Sequence, residues 1–510
     1  MTVVSSTPPT VASIAARLER LPTSRWHVKV RTLIGAVTFF EAFDQLLVAS
    51  ALPLLIKEWH LSTAQVTLAI TSGSVGMLVG ALVSGWLADR VGRVKMVAFG
   101  VLLTGLSSLA IAFAPGFLWL IALRFVQGLG IGGEVPVAAT YVSEIAKARH
   151  RGRFVLLYEL VFPAGLFTAT VVAAWVVPNW GWRALFIIGG IPALAIAFMQ
   201  RGVPESPRWL ASKGRLNDAD RVLNGIEADV SRTAGPLPEP EATPKPEATP
   251  KPEATTESKA APALAKSPAD GIPDRPSART PARTPDRPPG QAPDRASDGA
   301  APPRTTLRDL VSGVYLRRTV VVSALWFFGY FVNYGITAWL PTLYTKVFEI
   351  PLDKALHYNL WTNAAGFLGC LTVALLVDKV GRRVALAFGL AGAAASLGTL
   401  AALGAVSAGQ VAVWASVAAF FVFATNVSLY LYTPELYPTR SRALGCSMGG
   451  VFNRLGVIIG PIVVGNLVGA GASAATIFAV LGAVALAGAV AALFAVETRG
   501  RTLEELSPEV

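Results

Sequence analysis

The sequence predicts an all-α membrane protein with twelve transmembrane helices arranged as two pseudo-symmetric six-helix bundles. Three observations carry that expectation: twelve apolar stretches each long enough to cross a bilayer, short Arg- and Lys-rich loops after every second one, and turn motifs of the first half that recur in the second. With 53% hydrophobic and only 15% charged residues, no ordinary soluble core absorbs the apolar surface, so lipid is the solvent for most of the chain.

A spanning helix needs about 20 mainly apolar residues, because the hydrocarbon is about 30 Å thick and each residue rises about 1.5 Å. The spans are placed at 32–56, 66–88, 95–114, 117–141, 154–177, 182–199, 319–345, 359–377, 384–404, 408–432, 443–468 and 472–495. They are too long and continuous for barrel strands, and without water only a helix satisfies its own backbone. Residues 1–31 form a cytoplasmic tail containing Arg17, Arg20, Arg25, Lys29 and Arg31, with no short apolar core before a small-residue cleavage site, so span 1 is retained rather than cleaved.

Counting basic residues in short loops sets the sidedness. The loops after spans 2, 4, 8 and 10 carry Arg90, Arg93, Lys95, Lys147, Arg149, Arg151, Arg153, Lys379, Arg382, Arg383, Arg440 and Arg442; those after odd-numbered spans offer Lys57, Lys346 and Lys354, with Arg183 at a helix start. Both termini and the middle loop are therefore expected on the cytoplasmic side of the inner membrane. The net charge of +12 follows from this bias and is not a nucleic-acid footprint. Cys370 and Cys446 both fall inside spans, which argues against a disulfide or a metal site.

Between the bundles (32–199 and 319–495) lies a cytoplasmic loop, 200–318, and a second tail follows at 496–510. Residues 236–303 hold 18 of the 35 prolines, repeat PEATPK, and contain no Phe, Trp or Tyr. Such a segment has nothing with which to build a core and is expected to be a disordered tether. The flanks, 204–229 and 304–318, have the amphipathic pattern of short surface helices.

GWLADRVGRV (85–94) recurs as ALLVDKVGRR (374–383), setting Asp89, Gly92 and Arg93 against Asp378, Gly381 and Arg382. Glu144 and Arg151, seven apart, match Glu435 and Arg442, also seven apart. Repeated six-span halves place functional sites between them. Gly92 permits a tight turn, and Asp89, at an unfavourable helix C-terminus, needs an arginine or another helix's N-terminus. Glycine pairs such as Gly128 and Gly132 let helices pack closely.

Ionisable groups inside spans are costly unless they face a cavity or a partner. Glu41 and Asp44 lie three apart on one face of span 1, and two such carboxylates repel unless they share a proton, which outlines a proton-coupling site. Arg454 in span 11 needs an anion, either a buried carboxylate or the substrate. Glu134 sits beside Gly132, Gly133 and Pro136, where a helix can kink; Glu159 lies early in span 5. Tyr330, Tyr334 and Asn333 in span 7, with Trp361, Asn363 and Asn426, are candidate ligand-orienting groups, although an aromatic stripe is more often packing.

D-R-x-G-R at 89–93, RFVQGLGIGGEVP at 124–136, PESPR at 204–208, YTPELYPTRSR at 432–442 and ETRGRTLEEL at 497–506, in this order, resemble the sugar-porter and metabolite:proton symporter branches of the major facilitator superfamily. The resemblance implies that Asp89, Arg93, Glu144 and Arg151 clamp the bundles on the cytoplasmic side in the outward-open state. It implies too that Asp44 takes up a proton and pairs with Arg124. FEAFD (40–44) is similar to the D-G-x-D of aromatic-acid:proton symporters, with Glu41 and Ala42 replacing Asp and Gly.

The resulting expectation is a proton-coupled symporter, a monomer without cofactor or metal, importing a small organic acid of aromatic or nicotinate-like character. A sugar or polyol transporter is the alternative; a non-transporting nutrient sensor with the same fold is another. An enzyme is not expected: HExxH and paired-Cys motifs are missing, and His27, His60, His150 and His357 are scattered near loops.

Overall fold

The computed structural model describes residues 9–22, 24–145, 160–239, 310, 312–438 and 441–499, without the side chains of 134–136, 139–140, 142–145, 314 and 443. In chain order the helices are α1 (Val11–Arg20), α2 (Arg25–Trp59), α3 (Thr63–Val91), α4 (Arg93–Ala112), α5 (Phe117–Ile145), α6 (Val161–Met199), α7 (Pro207–Ser212), α8 (Leu216–Ala234), α9 (Gly313–Thr337), α10 (Leu340–Lys346), α11 (Leu352–Val380), α12 (Arg382–Ala402), α13 (Ala408–Glu435), α14 (Arg442–Gly469) and α15 (Ala474–Leu493). No strand occurs among the described residues, and ten helices are long and apolar enough to cross a membrane.

Local chemistry explains where the helices start. Ser62 opens α3 with a reciprocal box, its hydroxyl accepting from the Gln65 amide while the Gln65 side chain accepts from the Ser62 amide at 2.9 Å; Ser407 and Ser473 cap α13 and α15. At 39 residues α6 would be about 58 Å long if straight, roughly twice the hydrocarbon thickness. It holds spans 5 and 6, broken at Gly181, whose φ of 78° lies in the left-handed region. The expected start of span 5 at 154 lies outside the described residues.

The two halves pair their helices alike. α2 packs on α6, α3 on α5, and α4 on α5 and α6; in the second half α9 packs on α14, α11 on α13, and α12 on α13 and α15. Across the halves, α3 meets α14, α6 meets α11, and α10 meets α2. Small residues allow these approaches: a Cβ on Gly132 would stand 1.9 Å from the Met77 carbonyl oxygen, so α3 and α5 touch backbone to backbone.

Two features go beyond the sequence pattern. Span 7 is interrupted: Pro341, at the first turn of α10, suits a helix start, and α9 and α10 are separated by a turn at Ala338 and Trp339, where the Trp339 indole donates to the Pro461 carbonyl at 2.9 Å. The N-terminal tail also contains a docked helix. Ile14 and Leu18 of α1 share a core with Leu223, Ile226 and Val230 of α8, while Arg17 grips Asp220 at 2.5 Å and Glu227 at 2.6 Å. Its polar sequence, read alone, conceals this because the apolar partner lies two hundred residues away. Most of the proline-rich linker lies outside the described residues.

Candidate functional site

The centre of the molecule is built from α2, α3, α5, α9, α13 and α14. Tyr334 of α9 donates its hydroxyl to the Gln45 side-chain oxygen of α2, joining the halves. Around Tyr334 stand Glu41, Arg454 and Tyr430, within electrostatic reach, and Arg124, which shares with it a small cavity also lined by Ser74, Met77 and Ala338. That cavity has about 20 Å³ of water-accessible space, little more than one water sphere. A larger hollow of about 420 Å³ lies between the C-terminal end of α2 and the Gly181 break in α6, lined by Lys57, Glu58, Trp182 and Arg183. There Glu58 already accepts from Trp182 at 2.7 Å and Arg183 at 2.8 Å, so the unsatisfied chemistry belongs to the centre.

Among the described residues Arg454 has no carboxylate partner. Its Nη1 donates to the Gly450 carbonyl of its own helix at 3.1 Å, and its buried Nε has no acceptor. Arg124 likewise turns to an uncharged group, the Gln127 oxygen at 2.6 Å, and its Nε is unpaired. The expected direct Asp44–Arg124 pair is therefore absent: Asp44 points into the first bundle, accepting from the Ser108 hydroxyl of α4 at 3.1 Å. Residues three apart on a helix differ by about 60° in direction, enough to send Glu41 toward the second half and Asp44 away from it.

On α9 an aromatic ladder climbs to the centre: Trp326 stacks on Tyr330 at 5.5 Å and Tyr330 on Tyr334 at 6.2 Å. Tyr330 meets the Tyr430 hydroxyl at 3.3 Å, and Asn426, one turn before Tyr430, faces α9 at Gly329 with both amide atoms buried and unpartnered. Several candidates are not brought to this cluster. Trp361 is 59% exposed on α11; Asn363 bonds back to the Asn359 carbonyl at 3.0 Å; and Asn333 is buried with its side-chain oxygen unpartnered, its backbone carbonyl accepting from Thr337. The Glu134 side chain and all of Glu159 lie outside the described residues.

The gating candidates cluster at the arginine-rich end, each half closed on itself. Asp89 pairs with Arg93 at 2.5 Å and Asp378 with Arg382 at 2.9 Å, both within their own turns, and among the described residues neither aspartate pairs with the opposite half. Glu435 pairs with Arg382 at 3.1 Å rather than with Arg442, whose Nε donates to the Pro434 carbonyl. The Glu144 side chain and Arg151 lie outside the described residues. At the other end the halves are in contact: a Cβ on Gly465 of α14 would fall 2.1 Å from the Thr67 hydroxyl of α3.

Two carboxylates that the sequence left without a role complete the repeat. Glu205 accepts from the Arg93 and Val94 amides at 3.0 and 3.3 Å, capping α4; Glu497 accepts from the Arg382 and Arg383 amides at 2.9 and 3.1 Å, capping α12. Gly92 and Gly381, at φ 118° and 98°, leave room for them. PES and ETR, each following its half's last span, were the available signal. Burial pushes the Glu497 carboxyl up, but the amides of Arg499, Arg382, Arg383 and Thr498 outweigh it and hold it below the ordinary range. Its contribution is thus complete above about pH 4.5, the usual glutamate value, and lost as pH falls through the lower folded value. Glu497→Gln is expected to cost about 1 kcal/mol at neutral pH and to remove that acid-dependent component from thermal unfolding curves recorded between about pH 6 and 3.

The geometry has counterparts in known proteins. The model of the Major Facilitator Superfamily matches residues 34–434. The chain is 32% identical to the niacin transporter NiaP of Acinetobacter baylyi, covering 97% of this chain and 99% of that one, and 26% identical to the gallate transporter of Pseudomonas putida, covering 95% and 96%. Among solved structures, the proton:xylose symporter XylE bound to 6-bromo-6-deoxy-D-glucose superposes with a TM-score of 0.64 at 18% identity, covering 94% of this chain and 98% of XylE.

Proposed function

Because this chain belongs to the Major Facilitator Superfamily and is a transporter, we propose that it is a proton-coupled symporter importing a small aromatic or nicotinate-like organic acid across the inner membrane. The carrying observation is Arg454, a guanidinium at the centre of the molecule with no carboxylate partner among the described residues, beside the Tyr330–Tyr334 stack. A planar carboxylate supplies what both features lack: a two-pronged acceptor for the guanidinium and a face for the rings. The names of the niacin and gallate transporters agree with that chemistry. The likeness to the xylose symporter, at 18% identity, speaks for the fold alone.

Alternating access follows from the two ends. With the basic loops cytoplasmic, the conformer is closed outside by the α3–α14 contact and has its cytoplasmic aspartate clamps released. A central space of about 20 Å³ admits no organic acid, so the halves must part there, breaking the Tyr334–Gln45 bond, before substrate enters. Asp44 carries the proton; Glu41, facing the second half, senses the anion.

The test is a thermal-shift screen of the purified protein against aromatic carboxylates, aliphatic carboxylates, hexoses and polyols at two pH values. Stabilisation by aromatic carboxylates, stronger at the lower pH, is expected. Stabilisation by hexoses or polyols alone would replace this reading with a sugar porter. Ligand stabilisation without counterflow in vesicles would make the protein a sensor.

A further inference from the structure

We infer that Ser108 is a two-state hydrogen-bond switch that positions the Asp44 carboxylate, donating to it when it is ionised and turning to the Phe186 carbonyl when it is protonated. The inference rests on the proton-coupling role proposed for Asp44 and names the residue that makes both of its protonation states tolerable in a dry pocket.

The Ser108 oxygen lies 3.1 Å from Asp44 Oδ1 and 3.2 Å from the Phe186 carbonyl oxygen, and all three residues are fully buried. Both neighbours are acceptors when Asp44 is ionised, but a hydroxyl has one proton, so it satisfies one of them at a time. The other carboxylate oxygen, Oδ2, has no partner. The ionised state therefore depends on the single Ser108 bond and on Arg124 at a distance. When Asp44 gains a proton, its own O–H donates to the Ser108 oxygen, and the Ser108 proton rotates to the Phe186 carbonyl. Only the incoming proton is bound and no heavy-atom bond changes. A backbone amide at this place serves the ionised state alone, since it only donates.

The pocket is shaped for this arrangement. A Cβ on Gly189 would stand 2.9 Å from Asp44 Oδ1, and one on Gly190 2.8 Å from Leu109, so α6 closes directly over the Asp44–Ser108 pair. The charged group that bears on Asp44 is Arg124 from α5, while Glu41 on its own helix lies within reach of Tyr334; α4 and α6 contribute the Ser108 hydroxyl and the Phe186 carbonyl.

The test needs no substrate. Infrared titration of the full-length protein in lipid, referenced to Asp44→Asn, isolates the protonated-carboxyl band of Asp44. In Ser108→Ala the ionised state loses a charge-assisted donor and the protonated state only a weaker neutral acceptor, so on balance the band should persist to a pH about one unit higher, a tenfold change in proton affinity, with a changed stretching frequency because its O–H loses its acceptor. Ser108→Thr, which keeps the hydroxyl, should titrate like the wild type. An unchanged midpoint in Ser108→Ala overturns the inference, as does an equal displacement in Ser108→Thr, which would make the effect steric. A difference band that never titrates overturns both the switch and the coupling role of Asp44, whereas a titrating Asp44 in a protein that binds sugars overturns the substrate reading alone.

Discussion

Asp44→Asn is expected to abolish concentrative uptake while leaving counterflow exchange. One coupled proton converts an inward gradient of one pH unit, about 1.4 kcal/mol, into about a tenfold accumulation, and a carrier without that proton equilibrates at a ratio of one. Asparagine retains the shape of the side chain and an oxygen for Ser108, 3.1 Å away in the wild type, but no longer exchanges a proton. The fold and the substrate contacts proposed on α9 and α14 should survive. Proteoliposomes carrying an imposed pH gradient give the measurement, with labelled nicotinate as probe. Accumulation by this variant at the wild-type ratio would remove Asp44 from the coupling path.

Arg454→Gln is the second large effect. Charge-assisted hydrogen bonds contribute about 1.5–3 kcal/mol, so losing the guanidinium should weaken binding of an anionic substrate by roughly 10- to 150-fold. Arg454→Lys keeps the charge but not the planar fork and should fall between the two. Because Arg454 has no carboxylate partner among the described residues, its loss strands no buried anion there, and the thermal stability of the empty protein should change little. Affinity from ligand-induced thermal shifts, read beside the stability of the empty variants, separates the two roles. Wild-type affinity in both variants would make Arg454 a structural residue.

The spans, the repeat and the glycine turns that follow α3 and α11 were legible because each is a local pattern. Twenty apolar residues in lipid must become a helix, whatever lies next to them. D-R-x-G-R is a turn whose geometry its own glycine supplies, and Gly92 and Gly381 do adopt left-handed φ values. The site was legible only as a set of residue types. Glu41, Arg124, Tyr330, Tyr334, Asn426 and Arg454 do gather near the centre, whereas Trp361 faces outward because the sequence does not say which side of α11 meets protein. Ser108, Gln45 and Gln127 went unnoticed, since a small polar residue in an apolar span has no pattern of its own.

By itself the sequence determined the spans, the pseudo-symmetric division and the positions of the buried charges, because hydrophobicity and motif spacing act over one or two helical turns. Tertiary structure alone decided the partners. Asp44 meets Ser108 and not Arg124, Glu435 meets Arg382 and not Arg442, and Glu205 and Glu497 cap helices a hundred residues away. A partner is set by how whole helices pack, and a rotation of about 60° on one helix is enough to change which neighbour a carboxylate reaches.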